Sequence, residues 1–187
     1  MDSTKVWTYE DYQSLPDDGV RYEIVHGELW MTPAPTSYHQ TLSKRLQHPL
    51  FKLELEGKGV VYSAPIDVFL PGATPVEPDL LFLGPDQLHL CVKRGIQGVP
   101  LLVIEILSPS TARRDRGPKR ALYAAAGVPH YWLGDLYARV VELFELHEGG
   151  YRLAATVGTG DKHQVPWLHD LELDGDFLFA GIPEVED

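Results

Sequence analysis

The sequence predicts an α+β protein with an α/β-like core, in which helices flank a mixed central sheet. One observation is the order of patterns in the middle of the chain, where an amphipathic helix, three strand-like segments, a second helix and a fourth strand follow one another. A second is the run Leu101–Leu107, which is apolar except for Glu105 and is typical of a strand buried on both faces. At 187 residues the chain is expected to form a single domain, residues 1–187.

The N-terminal part predicts three elements, namely a short helix over residues 4–15, a β-hairpin over residues 21–32 and a long amphipathic helix from Ser37 to Glu56. Thr4 or Thr8 is the expected cap of the short helix. The hairpin is expected to fold at His26-Gly27. Pro49 is expected to kink or end the long helix, because proline removes a backbone N–H and its ring clashes with the preceding turn.

The strands of the centre are predicted at Val60–Leu70, Pro78–Leu83, Leu101–Leu107 and His130–Asp135, with a polar connection over residues 84–99. The second helix is expected to start near Pro118 and to stop at Gly127. Proline favours the first position of a helix and glycine the position just after its end. One helix therefore joins the third and fourth central strands.

The C-terminal part predicts additional strands. Residues 140–146 and 151–157 form a β-hairpin around Glu148–Gly150. Further on, apolar residues alternate along the chain, and they predict one more strand pair or an extended edge: Leu171, Leu173, Phe177 and Phe179.

Composition and charge limit the possible functions. The single Cys91 excludes an intramolecular disulfide and a zinc site with several cysteines. No apolar run approaches membrane-spanning length and the N-terminus has no secretory pattern, so a cytoplasmic location without a membrane partner is expected. The formal net charge is −11, of which residues 113–120 contribute +4 and the rest −15. An acidic body argues against a non-specific DNA binder, but not against an enzyme that meets phosphate at one metal-bearing cleft.

Asp79 and Glu105 are each the lone acid of an apolar strand. If the two strands are neighbours, both carboxylates can point to one face of the sheet, because side chains alternate with a period of two. Two converging carboxylates repel each other unless a cation lies between them, and oxygen ligands suit Mg²⁺. The pair thus predicts a site for Mg²⁺ or Mn²⁺. The alternative is that Asp79 caps a turn and Glu105 pairs with an arginine of the following helix.

The most basic segment of the chain follows the strand of Glu105. Lys119 is expected in the first turn of the next helix, where positive charge opposes the helix dipole, so that contact with phosphate explains it better than local stability does. The alternative is a solvated helix face. Tyr123, one turn later on the same face, lines the cleft or packs. Four arginines are expected to hold phosphates without reading sequence: Arg113, Arg114, Arg116 and Arg120.

Several short motifs occur in a fixed order along residues 8 to about 145. They are Arg21-Tyr22-Glu23-Ile24, Gly27-Glu28-Leu29, Pro78-Asp79-Leu80, Glu105-Ile106-Leu107-Ser108-Pro109-Ser110-Thr111, Asp115, Lys119, Tyr123, Gly127-Val128 and Tyr131-Trp132. This combination resembles the PD-(D/E)XK nuclease superfamily, and within it the Uma-type restriction-endonuclease-like proteins. Leu107 stands where the superfamily has its lysine, and Lys119 is the position that matches a lysine moved to the following helix.

The resemblance implies a restriction-endonuclease-like fold and metal-dependent hydrolysis of phosphodiester bonds in a nucleic acid, most simply DNA. It implies three groups of site residues: catalytic Asp79, Glu105 and Lys119; metal-binding Asp79, Glu105, Glu23 and the carbonyl of Ile106; and the further candidates His39, Ser108 and Asp115. For His39, the alternative is a surface histidine near a helix N-terminus. A homodimer is expected, because cleavage of both strands of a duplex needs two sites.

Two other functions stay open. One is a catalytically weak nuclease-fold protein that serves for binding or dimerisation, which the acidic charge and Leu107 favour. Three apolar residues near the C-terminus would then form a dimer surface: Trp167, Phe177 and Phe179. The other is a glycosidase that uses two carboxylates, but this leaves the basic segment without a role.

Overall fold

The structure of the protein is a computed structural model that describes residues 5–16, 21–25, 27–32, 34–73 and 75–183. Within these residues the strands are β1 (Arg21–Val25), β2 (Glu28–Thr32), β3 (Val60–Ser63), β4 (Val68–Phe69), β5 (Leu80–Leu83), β6 (Cys91–Val92), β7 (Gly95–Gln97), β8 (Leu102–Leu107), β9 (His130–Asp135), β10 (Val140–His147), β11 (Gly150–Gly158), β12 (Lys162–Val165) and β13 (Leu171–Asp174). The α-helices are α1 (Tyr9–Gln13), α2 (Ser37–Leu55), α3 (Ala112–Arg114), α4 (Arg120–Ala126) and α5 (Gly175–Phe179). Two 3₁₀ turns, Pro85–Leu90 and Pro166–Leu168, and a π-helical turn, Asp115–Lys119, complete the regular structure of this part of the chain.

A six-stranded mixed sheet forms the centre, in the order β11-β10-β9-β8-β5-β3. β8 and β9 run parallel, and the other neighbouring strands are antiparallel. On one face α2 packs through Leu42, Leu46 and Leu50. The other face contacts the β1–β2 hairpin through Val25 and α4 through Leu122. All of β8 is buried, as expected for a strand covered on both faces. The predicted fold class, a mixed sheet flanked by helices with an added hairpin and C-terminal strands, is confirmed.

The N-terminal predictions are largely confirmed. Thr8 caps α1 by accepting a hydrogen bond from the backbone N–H of Asp11, whereas Thr4 and His26 lie outside the described residues. β1 and β2 form the predicted hairpin. Of the two outcomes expected at Pro49, a kink or an end of the long helix, the end is wrong, since α2 continues through it to Leu55. Buried leucines on both sides of Pro49 hold the helix against the sheet and outweigh the lost hydrogen bond.

The predicted strand Val60–Leu70 is wrong as a single element. The chain leaves the central sheet after Ser63, and Val68–Phe69 pairs with β7 in a separate three-stranded sheet. Pro65 lies between the two pieces, and a proline cannot donate a hydrogen bond to a strand ladder. The connection over residues 84–99 contains the first 3₁₀ turn and the strands β6 and β7.

The helix predicted to start near Pro118 begins at Ala112 instead. Pro118 lies inside the continuous helical segment 112–126, within the π-helical turn. Proline has no N–H and its ring crowds the preceding turn, so the regular α-helical ladder is interrupted here by the π-helical turn. The predicted end is confirmed, since Gly127 follows α4 with φ of 85°.

The predicted hairpin is confirmed as β10 and β11, whereas the prediction for the residues after it holds for a strand pair only. Leu171 and Leu173 lie in β13, which pairs with β12. Phe177 and Phe179 lie in α5, so their assignment to a strand is wrong. The carboxylate of Asp174 accepts a hydrogen bond from the N–H of Phe177 and starts this short helix. None of the helices within the described residues is long and apolar enough to span a membrane.

Candidate active site

Asp79, the residue just before β5, lies opposite Glu105 of the neighbouring strand β8. β5 and β8 pair antiparallel with Leu80 facing Ile104, so extending the register by one residue places Asp79 opposite Glu105. Side chains directly opposite in such a pair project from the same face. The N–H of Ile106 donates a hydrogen bond of 2.8 Å to Oδ2 of Asp79. The structure therefore brings the two predicted acids together at one end of the sheet.

Lys119 reaches the same place from the helical segment. Asp115, Lys119 and Tyr123 follow one another at intervals of four residues, and all three are buried. Nζ of Lys119 lies 2.6 Å from Oε1 of Glu105. The hydroxyl of Tyr123 donates to that same oxygen at 2.8 Å. Lys119 therefore lies in the middle of a helical segment and not in the first turn of a helix. The prediction that its charge opposes the helix dipole is wrong for this reason.

Glu23 completes the surroundings of Lys119. It projects from β1, and its Oε1 lies 3.0 Å from Nζ of Lys119. The same oxygen accepts a hydrogen bond of 2.9 Å from the backbone N–H of Glu77. A buried ammonium is thereby held between carboxylates from two different sheets. Glu23 therefore forms a buried ion pair with Lys119.

Asp115 lies at the start of the π-helical turn and also lines the site. The hydroxyl of Tyr131 donates to the backbone carbonyl of Asp115 at 3.0 Å and fixes this turn against β9. Ser108 and Thr111 form a closed turn just before it, with their hydroxyl oxygens 3.0 Å apart. Ser108 therefore stabilises the loop that leads from β8 into the helical segment.

His39 approaches Asp79 from the other side of the sheet. It lies in the first turn of α2, and its Nε2 is 3.2 Å from Oδ2 of Asp79. Only 13% of the His39 side chain and 11% of the Asp79 side chain are exposed. The surface-histidine alternative does not describe this environment.

These groups surround a cavity of about 150 Å³. It is lined by Glu23, Ala34, Pro35, Thr36, His39, Asp79, Glu105, Ile106, Ser108, Pro109, Ser110, Thr111, Arg114, Asp115 and Lys119. Such a volume corresponds to about five water molecules at liquid density. This space is sufficient for a phosphate group or for a metal ion with some of its waters.

The acids in the cavity outnumber the buried base. Burial raises the pKa of Glu105 to about 8 even though Lys119 opposes the shift. Burial likewise raises the pKa of Asp115 to about 6. The pKa of Lys119 is raised well above its usual value, because Glu105, Glu23 and Asp115 outweigh the effect of burial. The raised pKa values mean that a proton is favoured on Glu105 and Asp115, and a cation bound between these carboxylates would displace it.

Asp79 differs from the other acids. Burial acts to raise its pKa, but hydrogen bonds from His39 and from the N–H of Ile106 outweigh burial and leave the pKa lowered. Asp79 is thus held in its charged form more firmly than Glu105 or Asp115. A charged carboxylate is what a divalent cation requires.

The four arginines predicted to bind phosphate occupy different surroundings in the structure. Arg114 lines the cavity, where it donates to the carbonyl of Met31 and lies over the ring of Trp30. Arg113 is exposed on the same segment. The remaining two do not line this cavity: Arg116 pairs with Asp135 and Glu142, and Arg120 lies over Phe144 and donates to the carbonyl of Tyr151.

Three contributors to the site were not singled out from the sequence. Thr36 caps α2 by accepting from the N–H of His39, and a threonine just before an amphipathic pattern is a usual helix-start signal. Thr111 closes the turn with Ser108 and lies within the Glu-Ile-Leu-Ser-Pro-Ser-Thr motif. The backbone N–H of Glu77 had no sequence signal, because its contact with Glu23 depends on tertiary structure.

Within the described residues, no group of three or more His, Cys, Asp or Glu side chains is arranged to hold a metal ion. Mg²⁺ does not require such a group, since it usually takes one or two carboxylates and keeps several waters. Asp79 and Glu105 both line the cavity, so two carboxylates are available for a site of that kind. The residues present therefore fit Mg²⁺ or Mn²⁺ better than a metal that needs several protein side chains.

Comparison with solved structures identifies a nuclease-like fold. The structure matches a crystal structure described as "a putative nuclease belonging to DUF820" from Anabaena variabilis ATCC 29413, with a TM-score of 0.78. The match covers 95% of this chain and 99% of that chain at 16% sequence identity, which shows a shared fold.

The family follows from the sequence match. The family described as "Uma2: Putative restriction endonuclease" matches residues 9–175, and the chain therefore belongs to the Uma2 family. No curated protein matched the chain. Family and fold together indicate a restriction-endonuclease-like nuclease, a class that generally uses divalent metals.

Proposed function

We propose that this protein is a metal-dependent endonuclease that hydrolyses phosphodiester bonds of DNA. The observation that carries the proposal is the convergence of Asp79, Glu105 and Lys119 on one small cavity, with Nζ of the lysine 2.6 Å from a carboxylate oxygen. Two strands and a helix supply these three side chains. Their combination of an excess of acids with one buried base is suited to a cation and a phosphate together.

Asp79, Glu105 and the carbonyl of Ile106 would hold the metal. When bound, Mg²⁺ or Mn²⁺ supplies an activated water and neutralises charge that develops on the phosphate oxygens. Lys119 orients the attacking water or stabilises that developing charge. Tyr123 and Glu23 hold Glu105 and Lys119 in place through their contacts of 2.8 and 3.0 Å.

Arg114 is the proposed phosphate contact at the cavity, and exposed Arg113 extends the basic surface along the strand. The ion pairs of Arg116 and the aromatic contact of Arg120 support a structural role for these two residues. Cleavage of both strands of a duplex would need two such sites, and we propose that a homodimer supplies them.

Plasmid nicking tests the proposal. The purified protein with Mg²⁺ or Mn²⁺ is expected to nick supercoiled DNA, and Glu105→Gln is expected to slow the reaction at least about a hundredfold by removing a metal ligand. Glu142→Gln is the matched control, because it removes the same charge from the surface pair with Arg116. Equal nicking by wild type and Glu105→Gln would identify a contaminant and contradict the proposal.

A binding or dimerisation module with little activity is the second candidate, and the net charge of −11 favours it. Calorimetric titration with Mg²⁺ separates the two. Binding that is lost in Asp79→Ala supports the nuclease, whereas the absence of any Asp79-dependent binding supports the module.

A further inference from the structure

His39 is tied to Asp79 by a contact that crosses the end of the central sheet. α2 packs on the face opposite the cavity through Leu42, Leu46 and Leu50, which are completely buried. Only the first turn of the helix reaches the cavity, where Thr36 and His39 line it. The position of His39 is therefore fixed by a helix that is anchored elsewhere.

Helix stability does not account for this histidine. The first turn of α2 contains no acidic residue, and a histidine near a helix N-terminus becomes unfavourable when it is protonated. His48 on the same helix is exposed and lies outside the cavity, which is the usual situation of a surface histidine. What distinguishes His39 is the contact of 3.2 Å between its Nε2 and Oδ2 of Asp79.

Two donors from different elements act on that one oxygen. The N–H of Ile106 comes from β8 within the sheet, and Nε2 of His39 comes from α2 across it. A carboxylate held from two sides cannot rotate freely about its terminal torsion, so its oxygens keep one direction. Hydrogen bonds that orient a ligating side chain in this way typically change metal affinity by about 10-fold to 100-fold when they are removed.

We propose that His39 is a positioning residue, which holds the Asp79 carboxylate in the orientation that binds the divalent cation. This inference rests on the proposed function, because it presupposes that Asp79 is a metal ligand. It assigns His39 no direct contact with the substrate. Its effect is exerted through Asp79 and is measured on metal binding in the absence of DNA.

Mn²⁺ binding, followed by electron paramagnetic resonance of the free ion, tests the proposal with the full-length chain. His39→Leu keeps the apolar bulk but removes the donor, and its Kd for Mn²⁺ is expected to rise about tenfold or more. His39→Gln offers an amide N–H in place of Nε2 and is expected to restore most of the affinity. His48→Leu is the matched control on the same helix, with affinity unchanged. Circular dichroism is the control for folding. Each variant is expected to be folded, because buried leucines anchor α2.

Equal Mn²⁺ affinity of His39→Leu and wild type would overturn the inference. An affinity of His39→Gln as low as that of His39→Leu would also overturn it, because the hydrogen bond would then not be the cause. Failure of the proposed function has a different signature, namely Mn²⁺ binding to wild type that Asp79→Ala leaves unchanged.

Discussion

Arg116 and Lys119 lie three positions apart in one helical segment, and both meet two carboxylates in very different surroundings. Arg116 has 41% of its side chain exposed and bridges Asp135 and Glu142 on the surface. Lys119 has 4% exposed and lies between Glu23 and Glu105. Solvent and salt screen the first group of charges much more than the second. Burial, rather than charge, makes the difference between an ordinary surface ion pair and a candidate site.

The largest difference between Arg116 and Lys119 is expected when each is replaced by methionine. Lys119→Met leaves Glu23 and Glu105 buried without their cation, and it is expected to lower the free energy of unfolding by about 3–5 kcal/mol. It should also lower nicking at least about a hundredfold. Arg116→Met is expected to cost about 1 kcal/mol or less and to leave nicking unchanged. Urea denaturation measures the first effect, and an equal loss of stability in both variants would contradict the comparison.

A second difference between the buried and the exposed ion pairs is expected in the dependence of stability on pH. Burial raises the pKa of Glu105 from 4.5 to about 8. Between these two pH values the folded protein keeps a proton on Glu105, whereas the unfolded chain has already lost it. The contribution of this raised pKa to the free energy of unfolding is complete below pH 4.5 and is lost as the pH rises to about 8. Relative to wild type, Glu105→Gln should therefore gain stability across this interval and level off above it.

Urea denaturation of both proteins across this pH range measures the effect. Glu142→Gln serves as the control for the removal of one carboxylate from a more exposed ion pair. A constant difference between Glu105→Gln and wild type at every pH would contradict the prediction.

The smallest effect is expected from a second matched pair, Arg114 and Arg120. Each donates to a backbone carbonyl and lies over an aromatic ring, at 4.8 Å from the Trp30 centroid and 4.3 Å from the Phe144 centroid. Only Arg114 lines the cavity. Arg114→Ala should raise KM for DNA about tenfold by removing one phosphate contact, and should reduce the slope of log KM against log salt by about one. Arg120→Ala should change neither, and equal effects in both variants would count against Arg114 as the phosphate contact.

Elements with a strong period could be predicted from the sequence. The hairpin of β10 and β11, the buried strand β8 and the strand His130–Asp135 all follow from apolar patterns and turn residues. The errors occurred where backbone chemistry interrupted a pattern. Pro118 suggested a helix start but lies inside a π-helical turn, and Pro65 divided a segment that had been predicted to be one strand.

The site divides in a similar way. The sequence marked Asp79 and Glu105, because an acid inside an apolar strand is costly unless it has a partner. The resemblance placed Glu23 at the same site as Lys119, but as a metal ligand. The direct ion pair of these two residues across 96 positions was not predicted, nor was the contact of Glu23 with Glu77 across 54 positions. The sequence also placed Arg116 and Arg120 with the phosphate contacts, whereas other strands supply their partners in the structure.

The sequence by itself determined the fold class and the short motifs that identify the family, because periodicity and residue type are local properties of the chain. Only the tertiary structure decided which of the neighbouring charges became buried. A π-helical turn directs Lys119 inward while Arg116 stays at the surface. The free energy of a charge depends on the groups that surround it and on its distance from water, and no local pattern records either.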